Sequence, residues 1–270
     1  MVSINSHELV GLVLSFFWPM VRILGLIAIA PPFGTQTVPM QIKVVFGILL
    51  ALVVSPSIQV SHDVDPVSLS GILIIAQQLV IGLGLGFVMR LVFGAVEMMG
   101  QVAGLTMGLG FATFFDPQSA GQSSAIAQFF VLITTVLFFS LNMHLALISA
   151  LIDSFSTIPL SMSVREGFDL YRLVLWAQEI FITGLRLSLP IVAALLITNV
   201  SMGILTRAAP QLNLFGIGFP ITISVGFLMM GMILPYFETP LNHLFEQGIE
   251  AMQSLSKPSG LPTPGLKKPH

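Results

Sequence analysis

The sequence predicts an all-α membrane protein, and three observations predict it. Of its 270 residues, 55% are hydrophobic and only 8% are charged, with a mean hydropathy of +0.96. Soluble domains carry about 25% charged residues, so a chain this poor in charge belongs in lipid or in a lipid-bound assembly. The apolar residues are gathered into about six runs, on the scale of the roughly 20 residues that a bilayer span needs. The polar connections between them, 31–43, 59–68 and 153–172, are short.

The first run, 9–30, is interrupted by Pro19 and Arg22, and the second, 44–58, is short and closes near Pro56. Gln77, Gln78, Gly82, Gly84 and Gly86 loosen the third, 69–93. The fourth, 125–152, holds His144 and lies between Asp116 and Asp153. The fifth, 173–205, contains Glu179, Arg186, Pro190 and Asn199. Its length suits a span with an extra turn or two, or two half-length helices bent at Pro190, since proline removes an intrahelical hydrogen bond and clashes with the preceding turn. A tight polar hairpin with Gln211 and Asn213, where Arg207 can meet a helix C-terminus, leads into the sixth run, 212–237,. Broken backbone at membrane depth is tolerated only where protein buries it or a cavity is lined. Much of this chain is therefore expected to face protein rather than lipid. Residues 1–250 read as one helical domain, and 251–270, rich in Pro, Gly and Lys, as a disordered tail,.

Composition also excludes chemistry. With no cysteine there is no disulfide, thiolate metal site or thiol catalysis,. A net charge of −2 leaves no nucleic-acid footprint,. No basic segment precedes Arg22, so the first run is expected to stay in the mature protein rather than act as a signal peptide,. Arg165, Arg172, Lys257, Lys267 and Lys268 fall on one side of six spans, against Lys43, Arg90 and Arg207 on the other, which favours a cytoplasmic C-terminus,. Segments 29–47 and 208–226 each run from Ala-Pro into an apolar stretch starting near a second proline, an internal echo consistent with a duplicated loop-plus-helix unit.

Gly100, Gly104 and Gly108 recur every fourth residue. On a helix they form a ridge without side chains that lets another backbone approach, either within the chain or in a partner subunit. Arg90 and Glu97, and Glu179 and Arg186, are each seven residues apart and so share a helix face,. Ionisable groups in apolar segments usually point at protein or water. A proton relay wants carboxylates in a row, whereas here each acid has a base nearby, so interface ion pairs are the better reading. His144 has no second His or carboxylate at ligand spacing and reads as an interior histidine,. With no phosphate loop, nucleophile elbow or paired carboxylates, no enzyme and no cofactor or metal are expected.

The stretch "TMGLGFATFFDPQSAGQSS", 106–124, places Phe111, Phe114 and Phe115 among glycines and small polar residues, which suits neither a soluble loop nor a span. "GQVAGLTMGLGFATFFDPQS" (100–119), with "TNVSMGILTRAAPQLNLFGIGFP" (198–220) and "RILGLIAIAPPFGTQTVPMQIKVVFG" (22–47), resembles the FliR family of the flagellar type III secretion export gate, whose injectisome counterparts are the SctT-like proteins. The resemblance runs from the first apolar run to about residue 245. It implies a FliP-like part joined to a FliQ-like part, built of bent helical hairpins and sitting largely above the plane of the bacterial inner membrane in the flagellar basal body. The implied partners are FliP-like and FliQ-like membrane subunits and an FlhB-like protein. The implied substrates are unfolded flagellar rod, hook and filament proteins. In such proteins the loop matching 106–123 plugs the channel, which makes Phe111 and Phe114 the main plug residues here, supported by Phe115, Met107 and Asp116. Bulky apolar rings exclude water and ions, and methionine adds a deformable seal. The alternative is a small-solute secondary transporter with a midplane site at a broken helix.

Overall fold

In the computed structural model the described residues are 6–58, 68–111, 124–159, 169–209 and 214–256, and they are helical almost throughout, with no strand among them. The α-helices among these residues are α1 (Ser6–Ile29), α2 (Met40–Val54), α3 (Leu69–Thr106), α4 (Ala125–Ser140), α5 (Met143–Thr157), α6 (Leu170–Trp176), α7 (Glu179–Ala208), α8 (Phe219–Ile233) and α9 (Glu238–Leu255). Local chemistry sets their ends. Pro39 precedes α2 and Pro220 sits in the first turn of α8, where proline's missing N–H costs nothing,. The Ser124 hydroxyl caps α4 by accepting from Ala127 N at 3.1 Å, and Asp169 caps α6 by accepting from Arg172 N at 3.1 Å,. Both echo segments share this layout, the end of one helix, a connection, and a second helix opening beside a proline.

The helices differ from the apolar runs in four ways. α3 continues through Glu97 and the Gly100–Gly104 ridge to 38 residues, about 57 Å at 1.5 Å per residue and nearly twice a bilayer's hydrocarbon core. The fourth run breaks at Asn142, whose φ of 58° is a left-handed conformation that Asn tolerates better than most residues,. In the fifth run the interruption falls at Ala177–Gln178, whereas α7 passes unbroken through Pro190, which is exposed. α9 extends to Leu255 with Ala251, Met252 and Leu255 buried, so 251–255 belong to the helix rather than to a tail; residues 257–270 lie outside the described residues.

Among the described residues, three helical stretches are long and apolar enough to cross a membrane, Leu69–Thr106, Leu170–Ala208 and Gly216–Tyr236, or four if the broken pair α4 and α5 counts as one. The apolar helix Met40–Val54, with 15 residues, is too short. Among the described residues the six runs thus yield three or four stretches with the length and hydropathy of a span.

The chain divides into two units. One comprises the described residues up to Arg90, those of Asn142–Ala177, and those from Glu246 onward. In it α1 and α3 touch backbone to backbone. A methyl group added to Gly82 would collide with the Arg22 carbonyl, and one on Gly86 would stand 2.7 Å from the Leu26 oxygen. Trp18 packs on Ile74, with Phe17, Ile58 and Ile75 around them. Arg172, ion-paired with Asp169 at 3.1 Å, reaches the Ser254 carbonyl near the end of α9 at 3.4 Å.

The other unit comprises Leu91–Leu141 and Gln178–Phe245. Its core is aromatic: Phe93, Phe138 and Phe245 meet with ring centroids 5.5–6.0 Å apart, and Phe130 meets Phe237 at 5.4 Å. Such offset and edge contacts contribute roughly 0.5–1.5 kcal/mol each beyond area burial. α7 crosses α3 at Gly184, where an added methyl would lie 2.8 Å from the Ala95 oxygen. The outer sides of α7 and α8 expose Leu196, Ile197, Val200 and Ile204, and Phe227, Leu228 and Met232. Apolar patches of this kind mark contact with lipid or another protein.

Candidate functional site

The stretch singled out by the sequence begins where α3 ends. Met107 N donates to the Ala103 carbonyl at 2.9 Å and closes the last turn, and Met107 is fully buried. Its side chain lies over the backbone of Gly226 in α8, and its carbonyl oxygen accepts from Thr222 Oγ1 at 3.3 Å. Gly108 follows with φ 87°, a backbone conformation that favours glycine, and a short 3-10 turn, Leu109–Phe111, leads away,. Residues 112–123, with Phe114, Phe115 and Asp116, lie outside the described residues, as does the side chain of Phe111. The chain resumes at Ser124, which caps α4 and lies against Gly104. Both borders of the loop are thus built into packed helix. Met107 stands among core residues of its unit.

Of the glycine ridge, Gly100 lies directly against the backbone of Ala127 in α4, and Gly104 has the softer Ser124 hydroxyl as its neighbour, 3.1 Å from an added methyl. Gly108 is off the ridge, because α3 stops at Thr106 and Gly108 forms the left-handed turn beyond it. The ridge therefore meets backbone of its own chain at Gly100.

The charged candidates stand apart from one another. Glu97 is half-buried, accepts from Gln101 Nε2 at 3.3 Å, and borders a shallow groove of about 280 Å³ with Gln128, Val131, Leu132 and Thr135. Arg90 is exposed and makes no ion pair among the described residues. Glu179 is half-buried in the first turn of α7 and Arg186 is exposed two turns on; the two do not pair with each other.

Two features escaped the sequence reading. The first is Arg22, which is 0% exposed. Its Nε donates to Gln78 Oε1 at 2.7 Å, its Nη1 to the Ser154 carbonyl at 2.7 Å and to Ser154 Oγ at 3.0 Å, and its Nη2 to the Ile158 carbonyl at 2.9 Å. The Phe155 ring lies 4.1 Å from the guanidinium carbon. No carboxylate pairs with it among the described residues. Its counter-charge is the carbonyl end of α5, where the aligned peptide dipoles leave about half a negative charge, supplemented by the aromatic face. An arginine inside an apolar run was the signal available in the sequence. The second feature is the Gly82–Gly86 spacing, the same four-residue repeat as Gly100–Gly104, which packs α3 on α1.

Comparison with known proteins places the chain. The family model for bacterial export proteins, family 1, matches residues 13–248. Over 256 residues the chain is 39% identical to the flagellar biosynthetic protein FliR of Pectobacterium carotovorum subsp. carotovorum, covering 94% of this chain and 97% of that protein. Identity to the flagellar biosynthetic protein FliR of Escherichia coli (strain K12) is 36% over 247 residues, 92% of this chain and 94% of that one. The protein of the same name from Bacillus subtilis (strain 168) is 27% identical over 252 residues, covering 92% and 97%.

Proposed function

The chain belongs to the bacterial export proteins, family 1, and is a component of the flagellar export apparatus; from that premise we propose that it forms part of the protein-conducting channel and carries the channel's plug. The observation that carries this reading is the construction of the 106–123 loop's borders. A segment rich in phenylalanine and glycine leaves the helical body from a fully buried Met107 and returns at a capped Ser124. Rings held on a glycine-rich loop between fixed ends can obstruct a narrow path and still be pushed aside by a polypeptide. Phe111 and Phe114 are the principal obstructing residues, with Phe115 and Asp116 beside them.

The partners of this reading are FliP-like and FliQ-like subunits and an FlhB-like protein, in the inner membrane at the flagellar basal body. The exposed apolar sides of α2, α7 and α8 supply surface for them. The chain would combine a FliP-like part with a FliQ-like part, and its cargo would be unfolded rod, hook and filament proteins. Arg90, Glu97, Glu179 and Arg186 would meet charges on those partners. A secondary transporter is not favoured, because the family match is to bacterial export proteins and the relatives are flagellar biosynthetic proteins over nearly the whole chain.

The test is a shortened loop, or Phe111 and Phe114 both changed to Ala, in the assembled complex. Assembly should persist while small ions pass, measured as growth in high salt or as conductance in a planar bilayer. A complex that assembles fully and leaks no more than wild type would show the loop to be an ordinary connection.

A further inference from the structure

Three observations converge on Met107. A methyl group added at Gly226 would stand 2.5 Å from Met107 Cγ, 2.6 Å from Cε and 2.7 Å from Sδ, so the thioether occupies the notch that this glycine leaves in α8. Thr222 is one turn earlier on the same face of α8, and its hydroxyl lies 3.3 Å from the Met107 carbonyl and 3.0 Å from that of Phe219, its single proton shared between the two. Gly108, the next residue, turns the chain away through φ 87°. An unbranched thioether suits such a seat, because it can fold over a bare backbone where a β-branched side chain would collide with it.

We propose that Met107 is a positioning residue, held by Thr222 and Gly226 of α8, that anchors the start of the 106–123 loop and so fixes where the obstruction sits. The proposal rests on the plug reading of that loop. It departs from a role for Met107 in the seal itself: the side chain points into helix packing, and its work is to hold the loop's first residues to α8 as well as to α3.

The absence of cysteine allows a direct readout of that anchor. In the purified complex, Leu109→Cys is labelled with a maleimide. Adding Met107→Ala should speed labelling about tenfold or more, since an emptied core site favours local opening. Thr222→Val should speed it less, by removing a hydroxyl contact that Met107 shares with the Phe219 carbonyl. Gly226→Leu placed on Met107→Ala should bring the slow rate back, because the leucine fills the vacated notch. In cells, Met107→Ala should leak ions and the Met107→Ala/Gly226→Leu pair should not, and this rescue separates positioning from general destabilisation. If Met107→Ala fails to assemble, Thr222→Val and the double variant carry the test.

Labelling unchanged in Met107→Ala and Thr222→Val would overturn the anchor whatever the loop does. Faster labelling without leakage, while the shortened loop does leak, would overturn it as a determinant of the seal. If the shortened loop does not leak, the plug reading falls, and the labelling rates alone decide whether the anchor exists.

Discussion

Arg22 Nη1 donates to the carbonyl oxygen of Ser154 at 2.7 Å across 132 residues of sequence, in a site closed to solvent. This contact ties α1 to the end of α5, and the bond from Arg22 Nε to Gln78 ties both to α3. Four of the guanidinium's five N–H groups are used in a planar fork,. Gln78 Nε2, by contrast, is buried with no partner among the described residues.

Arg22→Lys should therefore be nearly as damaging as Arg22→Met. A lysine keeps the charge but cannot reach Gln78, Ser154 and Ile158 together, and each buried group left unsatisfied costs about 1–3 kcal/mol. Pairing Arg22→Met with Gln78→Leu should recover part of the loss by removing an orphaned amide along with its partner. Thermal stability and yield of the detergent-extracted complex give the comparison. Wild-type yield from Arg22→Lys would mean that charge alone, not the fork, holds this site.

How much of this could be read beforehand divides along a physical line. The helical class follows from hydropathy alone, and several helix ends follow from local chemistry, as at Pro39, Pro220 and Ser124. Arg22 looked like an interruption because its partners lie 56, 132 and 136 residues away, and no local pattern encodes them. Gly82 and Gly86 read as loosening a helix, although their spacing is that of Gly100 and Gly104; spacing does not say whether a backbone lies opposite. The apolar runs do not tell which helices cross a membrane, because an apolar run looks alike whether lipid or protein covers it. Pro190 looked like a break, yet α7 continues through it, losing only the hydrogen bond that proline cannot donate,. Met107 belongs by sequence to the loop and by packing to the core.

The glycines should separate by what faces them. Gly82→Ala would drive a methyl group into the Arg22 carbonyl, where backbone cannot give way, and should abolish assembly. Gly203→Ala in α7 and Gly231→Ala in α8 meet nothing within 4 Å. At those two positions alanine should be neutral or should stabilise by up to about 1 kcal/mol, since glycine inside a helix is the poorer former. Recovery of the intact complex decides, and a tolerated Gly82→Ala would contradict the α1–α3 contact.

On the second ridge, Gly100→Leu should disrupt more than Gly104→Leu. Gly100 opposes the backbone of Ala127, whereas Gly104 opposes the movable Ser124 side chain. Overpacking typically costs roughly 1–3 kcal/mol, and the harder neighbour sets the upper end. Co-purification of partner subunits with each variant measures it. Equal recovery of both would mean that the backbone of α4 can shift, and that the close approach at Gly100 is not limiting.

Glu179 and Arg186 decide between a structural and a conducting role for the charges in α7. They share a helix face without pairing with each other. Arg186 is exposed between Leu185 and Leu189, themselves exposed, so in a bilayer or an apolar interface it needs an acceptor from outside the chain. Glu179 sits in the first turn of α7, where the helix dipole stabilises a carboxylate by about 0.3–1 kcal/mol,. If the two charges serve interfaces, Glu179→Gln should lower the yield of assembled complex modestly. Arg186→Glu should lower it strongly, by facing the partner's acid with another. Export per assembled complex should then stay near wild type in both. A relay predicts the reverse: Glu179→Gln would assemble at wild-type yield and lose export driven by the proton-motive force, because a neutral amide fills the same space but carries no proton. Quantifying complex and secreted substrate from the same cells separates the two, and that second pattern would end the interface reading of Glu179.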